Sequence, residues 1–373
     1  MARIPFASSP RRRTPPSNHL SDLTDFGSNP GKLRARTFTP ERVADRPALV
    51  VVLHGCTQTA AGYDAGSGWS TLADERGFML LFPEQQRSNN PNLCFNWFSP
   101  SDTRRDEGEA LSIRQMIATV VRDHDVDPRR VFVTGLSAGG AMTSVMLATY
   151  PEIFVGGAII AGLPYGTANG VPQALERMTG RGMPDADILG ALVRKASAHA
   201  GPWPTVSVWH GSNDATVDRA NADATLAQWR SIQGIGDAPS VADTVEGFPH
   251  RVWHDGNDRA VIESYEVTGM SHGIPLRSNE PSPCGIAGPF FIDVGISSTR
   301  RIAAFWGLAG EGRAQPAHVD ARPKERSRAQ LPSLPVARAA RPERINATTS
   351  RPSAANSVTR IIEDALRAAG LMK

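Results

Sequence analysis

The chain has 373 residues, 40% of them hydrophobic and 21% charged, enough for one large α/β domain or two smaller ones around a buried core. Its net charge of +3 is unevenly spread: residues 1–48 and 311–357 each carry nine Lys/Arg against four Asp/Glu, and 358–373 add +1, which leaves −8 for the body between. An acidic body between basic tails excludes a nucleic-acid groove, which needs its cations on the folded surface, and no run approaches the ~18 apolar residues of a membrane span.

Residues 1–32 open with a Ser-, Pro- and Arg-rich stretch and are expected to form a disordered basic tail. Arg11-Arg12-Arg13 has no apolar segment behind it, so no secretory signal peptide is visible. A catalytic domain is expected over 33–310. Leu33–Phe38 reads as its first strand, and Ala48–Leu53 is a continuous β-branched apolar run, the pattern of a strand buried on both faces of a parallel sheet. Further strands are expected at Phe78–Phe82, Arg130–Thr134, Val155–Ala161, Thr205–Trp209 and Val261–Val267. Helical patterns fall between them at Ser70–Arg76, Asp106–Asp123, Gly140–Tyr150 and Asp218–Ile232. This alternation predicts an α/β fold with a doubly wound, mostly parallel sheet and helices on both faces.

The segment 166–204 interrupts the rhythm with helical stretches at Val171–Met178 and Ala186–His199; it reads either as a cap inserted over the active site or as a longer crossover. Residues 311–356, dominated by Pro, Ala, Arg and Ser, read as a disordered linker. In 357–370, Val358, Ile361, Ile362, Ala365, Leu366 and Ala369 share one face of a helix that would bind a partner or a hydrophobic surface, or dock back on its own domain.

The chemistry centres on Gly135-Leu136-Ser137-Ala138-Gly139. A Gly-x-Ser-x-Gly match alone is weak, but here an apolar strand precedes it and a helical pattern follows. That is the strand–turn–helix context of the nucleophile elbow of α/β-hydrolases. A hydroxyl needs a base held by an acid, met in this fold in the order Ser, acid, His. Asp214 lies just past the end of an apolar strand and is favoured as the acid over its neighbour Asp218. His272, in Gly269-Met270-Ser271-His272-Gly273, follows the next strand and is favoured as the base. His250 and His254 precede that strand and are expected at its wrong end. The two N–H donors for an oxyanion are expected from Ala138 and, beside the Gly55 turn, Cys56; His54 is expected to be structural. The three cysteines, Cys56, Cys94 and Cys284, have no metal-ligand spacing, and neither metal nor cofactor is expected.

Leu53-His54-Gly55-Cys56-Thr57-Gln58, Cys94-Phe95-Asn96-Trp97-Phe98, Val126-Asp127-Pro128-Arg129-Arg130-Val131, the Ser137 elbow, Gly162-Leu163-Pro164-Tyr165-Gly166 and Trp209-His210-Gly211 together resemble the polyhydroxybutyrate depolymerase family of esterases, over roughly Leu33 to Leu308. The resemblance implies Ser137, Asp214 and His272 as the triad. It implies hydrolysis of short-chain polyhydroxyalkanoate esters, polymer or oligomer, outside the cell, with a cytoplasmic location as the alternative. Related esterases remove feruloyl or acetyl groups from plant polysaccharides. The resemblance also implies a Cys56–Cys94 bridge, the alternative being free thiols in a reducing compartment. Trp97 and Phe98 would wall the acyl chain or simply pack in the core. Secreted family members usually add a signal peptide and a polymer-binding domain, neither of which is visible here, so soluble oligomers and small esters stay open. A serine peptidase on the same fold and a non-catalytic binder of polyester granules are the readings from other classes.

Overall fold

A computed structural model describes residues 19–309. Twelve strands and nine helices occur among them, in the order β1 (Ser21–Asp22), β2 (Arg34–Phe38), β3 (Leu49–Leu53), α1 (Ala60–Ser67), α2 (Trp69–Arg76), β4 (Met79–Glu84), α3 (Pro100–Thr103), α4 (Gly108–Asp123), β5 (Val131–Leu136) and α5 (Ala138–Thr149). There follow β6 (Gly156–Ile160), α6 (Val171–Met178), α7 (Ala186–Ala196), β7 (Thr205–Gly211), α8 (Ala220–Gln233), β8 (Val241–Val245), β9 (Phe248–His254), β10 (Ala260–Val267), β11 (Ile274–Leu276), β12 (Phe291–Asp293) and α9 (Ser298–Phe305). The expected linker 311–356 and helix 357–370 lie outside the described residues.

Ten strands form one sheet in the order β1-β2-β4-β3-β5-β6-β7-β10-β9-β8. The six from β4 to β10 run parallel, and antiparallel strands flank them on both sides. The apolar runs are buried on both faces because alternate residues serve different cores. Leu49, Val51 and Leu53 of β3 pack with Ile113, Met116 and Ile117 of α4, Met142 and Val145 of α5, and Trp229 of α8. Val50 and Val52 face the opposite way, into a core with Tyr63 of α1, Trp69 and Leu72 of α2, Ile302 of α9 and Trp306. This is the doubly wound α/β arrangement expected from the sequence.

Two expectations need correction. Residues 19–32, expected within the disordered tail, belong to the folded body. Ser21 and Asp22 pair with Thr37 and Arg36, Leu20 is buried, and the Asn29 side chain brackets Leu33 with two hydrogen bonds. The composition that suggested disorder is concentrated before residue 19, outside the described region. Second, β9 runs antiparallel to β10, so His250 lies opposite Tyr265 near the C-terminal end of β10, and only His254 lies at the far end. The His250 ring is engaged there by Asp243, 2.8 Å away, and stacks on Tyr265.

At the β5–α5 turn the backbones come close together. A Cβ on Gly139 would stand 2.2 Å from the Leu53 carbonyl oxygen, and one on Gly135 would stand 2.4 Å from the Gly139 backbone. Gly139→Ala should therefore lower the unfolding free energy by about 3 kcal/mol, through forced backbone shifts. Gly256→Ala, where a Cβ meets nothing within 4 Å, should stay within about 0.5 kcal/mol of wild type. Urea titration of the two variants checks the contrast.

Candidate active site

Ser137 is the first residue after β5 and precedes α5, with φ +58° and ψ −118°, in a region that residues other than glycine rarely occupy. Two hydrogen bonds hold the turn: Ser137 N–H donates to the Ile160 carbonyl at the end of β6 (2.9 Å), and Ala141 N–H donates to the Ser137 carbonyl (2.8 Å). Strain of this kind persists only where the surroundings over-determine it, and it clusters at functional sites.

Asp214 follows β7 at the same C-terminal edge, with its carboxylate fully buried. One oxygen accepts the N–H groups of Thr216 and Val217 at 2.9 Å each; the other lies 2.7 Å from His272 Nδ1. Burial opposes its ionisation, but the bonds from His272 and Val217 outweigh that and hold its carboxyl below the usual carboxylate range. His272 follows β10, and its loop is tied directly to the acid's loop. Asn213 N–H donates to the Met270 carbonyl (3.0 Å), Gly269 N–H donates to the Ser212 hydroxyl (2.8 Å), and a Cβ on Gly211 would meet the Met270 carbonyl oxygen at 2.2 Å. The structure thus joins Asp214 to His272 and sets both on the edge that carries the Ser137 turn. Asp218, the competing acid, instead accepts from Ala220 N–H at the start of α8.

Ala138 is the first residue of α5, so its N–H has no partner within the helix. Cys56 sits in the turn after β3, and a network beneath it fixes that turn. His54 donates from Nδ1 to the Gly55 carbonyl and accepts the Gln85 N–H at Nε2 (3.1 Å), which defines one neutral tautomer; burial lowers its pKa. Gln58 accepts the Gly55 N–H at 2.8 Å, and Thr57 N–H donates to the Asn92 carbonyl at 2.7 Å. A disulfide joins Cys56 to Cys94, while Cys284 is free and buried.

The loop on the far side of that disulfide is organised by a residue the sequence reading missed. Glu109, fully buried in α4, accepts hydrogen bonds from Gln85 Nε2, Asn96 N and Asn96 Nδ2 at 2.6–2.8 Å, and a longer one from Asn89 Nδ2. Burial pushes its pKa up to about 8, while these donors favour the ionised form. Gln85 also donates to the Cys94 carbonyl, so one carboxylate orients both ends of the Cys94–Asn96 segment. Trp97 and Phe98 follow directly, packed edge to face at 5.6 Å, and join Ala138, Leu163, Ala168, Ala174 of α6 and Val217 in one apolar cluster. Within the segment 166–204, α6 thus shares an apolar cluster with Ala138, whereas Leu189 of α7 is tied to α8 through Gln228. Among the described residues no three His, Cys, Asp or Glu side chains are grouped to hold a metal, and no helix is long and apolar enough to cross a membrane.

The family model described as esterase PHB depolymerase matches residues 34–247. The chain belongs to this family. Poly(3-hydroxyalkanoate) depolymerase C of Paucimonas lemoignei is 45% identical over 293 residues, spanning 78% of this chain and 70% of that protein. An acetylxylan esterase of Coprinopsis cinerea is 31% identical over 281 residues, 71% of this chain and 72% of its own. The solved acetyl xylan esterase from Aspergillus awamori superposes with a TM-score of 0.66 at 25% identity, covering 78% of this chain and 99% of that one. The protein is thus a carboxylic ester hydrolase of the esterase PHB depolymerase family, with the α/β-hydrolase fold.

The disulfide closes a stretch of 38 residues between the Cys56 turn and the Trp97 loop. Replacing both cysteines by serine should lower the unfolding free energy by about 4 kcal/mol on the chain-entropy estimate. It should also reduce kcat more than it raises KM, because the Cys56 turn loses one of its anchors. Denaturant titration and ester kinetics on the same variant read the two effects.

Proposed function

We propose that the protein is a serine esterase working through an acyl-enzyme, with Ser137 as nucleophile, His272 as base and Asp214 as the acid that orients it. The observation that carries this reading is the 2.7 Å Asp214–His272 pair at the sheet edge that also carries the strained Ser137 turn. The Ser137 oxygen attacks the ester carbonyl as His272 Nε2 takes its proton. The carbonyl oxygen becomes an oxyanion facing the N–H groups of Cys56 and Ala138. Collapse breaks the C–O bond, and the proton passes from His272 to the leaving alcohol. Water, deprotonated by the same imidazole, then attacks the acyl-enzyme, releasing the acid and restoring the Ser137 hydroxyl. Asp214 stays ionised throughout and stabilises the imidazolium.

For substrate we propose short-chain polyhydroxyalkanoate, of the 3-hydroxybutyrate type, as polymer or oligomer. The depolymerase of Paucimonas lemoignei supports this, as does the apolar Trp97/Phe98 cluster beside Ala138, a wall suited to a short acyl chain. Likeness to the two acetylxylan esterases favours a second reading, removal of acetyl groups from carbohydrate. The disulfide fits an oxidising compartment outside the cytosol.

Ser137→Ala should lower kcat on p-nitrophenyl butyrate by at least about 10⁴-fold, and Asp214→Asn by about 10³–10⁴-fold, with both proteins folded. A fluorophosphonate probe should label Ser137 in the wild type, read by peptide mass. A Ser137→Ala protein that keeps the wild-type rate overturns the mechanism. Product masses from 3-hydroxybutyrate oligomers, acetylated xylan and a peptide panel decide among the substrates.

A further inference from the structure

Phe290 occupies a position the chain would ordinarily give to glycine. Phe291 N–H donates to the Gly288 carbonyl (2.9 Å), closing a four-residue turn with Pro289 second and Phe290 third. Phe290 has φ +66°. Proline second and a positive φ third are the marks of a type II turn, whose third residue is normally glycine, and a bulky side chain with positive φ is an outlier. Such strain persists where the surroundings hold it, and it points towards a role for the side chain.

The side chain packs on one side against the core that contains Tyr63 and Ile274, and meets the His272 ring edge to face, with centroids 6.2 Å apart and planes at 90°. The backbones of the two segments also lie close together. The Phe290 carbonyl accepts the Ile274 N–H at 2.7 Å, two residues past His272, and a Cβ on Gly273 would meet the same carbonyl oxygen at 2.7 Å. The Ile274–Leu276 strand then pairs in parallel with Phe291–Asp293. The Phe290 ring is only half-buried, so part of it remains exposed beside the imidazole.

We infer that Phe290 is a specificity-determining residue that walls the alcohol side of the cleft. The inference rests on the serine-esterase reading above. His272 Nδ1 is occupied by Asp214, so Nε2 serves the leaving oxygen, and a ring against that imidazole lies against the group the oxygen carries. Trp97 and Phe98, clustered with Ala138, border the acyl side. The ligand chemistry Phe290 suits is an apolar alkyl or aryl alcohol group. In a hydroxyalkanoate oligomer this is the alkyl-bearing carbon attached to the leaving oxygen.

The test holds the acyl group fixed and varies the alcohol. Benzyl and methyl alcohols are of similar acidity, so the ratio of kcat/KM for benzyl over methyl butyrate reports the wall and not the proton transfer. Phe290→Gly should lower that ratio about tenfold, mainly through KM, the size expected for removing one apolar contact surface. Its Tm should be no lower than that of Phe290→Ala, because glycine relieves the strained φ. Phe290→Leu, which keeps apolar bulk, should restore part of the ratio. An unchanged ratio in Phe290→Gly and Phe290→Leu overturns the inference and assigns Phe290 to packing alone. Fluorophosphonate labelling of wild-type Ser137 is read in parallel: absent labelling sinks the serine mechanism itself, whereas labelling with an unchanged ratio sinks only the role of Phe290.

Discussion

Three strand ends meet within van der Waals limits around one turn, and the remaining geometry of the edge follows from that crowding. Gly139 faces the Leu53 and His54 carbonyls of β3, and Gly140 faces Ile160 and Gly162 after β6. Because no side chain fits between these backbones, β5 must pass straight into α5 through a residue with positive φ, and that residue is Ser137. The same closeness sets the turn after β3, with its Cys56, beside the first turn of α5. Two turns from distant parts of the chain are thereby brought side by side, and the hydrogen bonds of each turn then hold it in place. Preorganised amides contribute most where they need not move during the reaction, and close packing is the means of keeping them still.

Packing alone does not hold the loops on either side of this turn, because loops at a sheet edge have little apolar surface. Polar networks hold them instead. Burial of Glu109 is costly enough to push its pKa up to about 8, and in a rigid core an apolar residue of the same volume often serves as well. Here, however, its partners are the backbone and side chain of Asn96 and the amides of Gln85 and Asn89, which would all lose their acceptor. The buried carboxyl group thus specifies, through its hydrogen bonds, a loop conformation that apolar contacts leave open. Through Cys94 and the disulfide, the specification reaches the Cys56 turn.

The central strands were legible because burial on both faces forces continuous apolar runs such as Leu49–Leu53, and Val171–Met178 was read to the residue. What escaped carried no such signal. In Val241–Val245 nearly every residue is exposed, so β8 shows no alternation. Ile274–Leu276 and Phe291–Asp293 are three-residue strands, too short for any period. Ala60–Ser67 contains glycine and little apolar periodicity, although Thr59, which accepts the Gly62 N–H, is a readable helix start. At the site, loop position and chain order singled out Ser137, Asp214 and His272, and the structure pairs the last two. They could not single out Glu109, since a Glu in the first turn of an amphipathic helix reads as solvent-facing until its partners from two other loops are known. The Pro289–Phe290 pair announces a turn, but a positive φ at a phenylalanine cannot be anticipated from residue type.

His210 shows why a buried site must control charge as well as distance. Its Nε2 donates to the Val217 carbonyl at 2.8 Å and lies 3.5 Å from the same Asp214 oxygen that holds His272. Were His210 protonated, it would place a positive charge 3.5 Å from the oxygen that pairs with His272 and compete for it. Burial prevents this: it lowers the His210 pKa despite the nearby carboxylate and keeps the ring neutral. The neutral ring still fills space and braces the loop through Val217, which itself donates to the other Asp214 oxygen. His210 thus braces the Asp214 loop as a neutral ring, and His272 remains the imidazole in close hydrogen-bond contact with the Asp214 carboxylate.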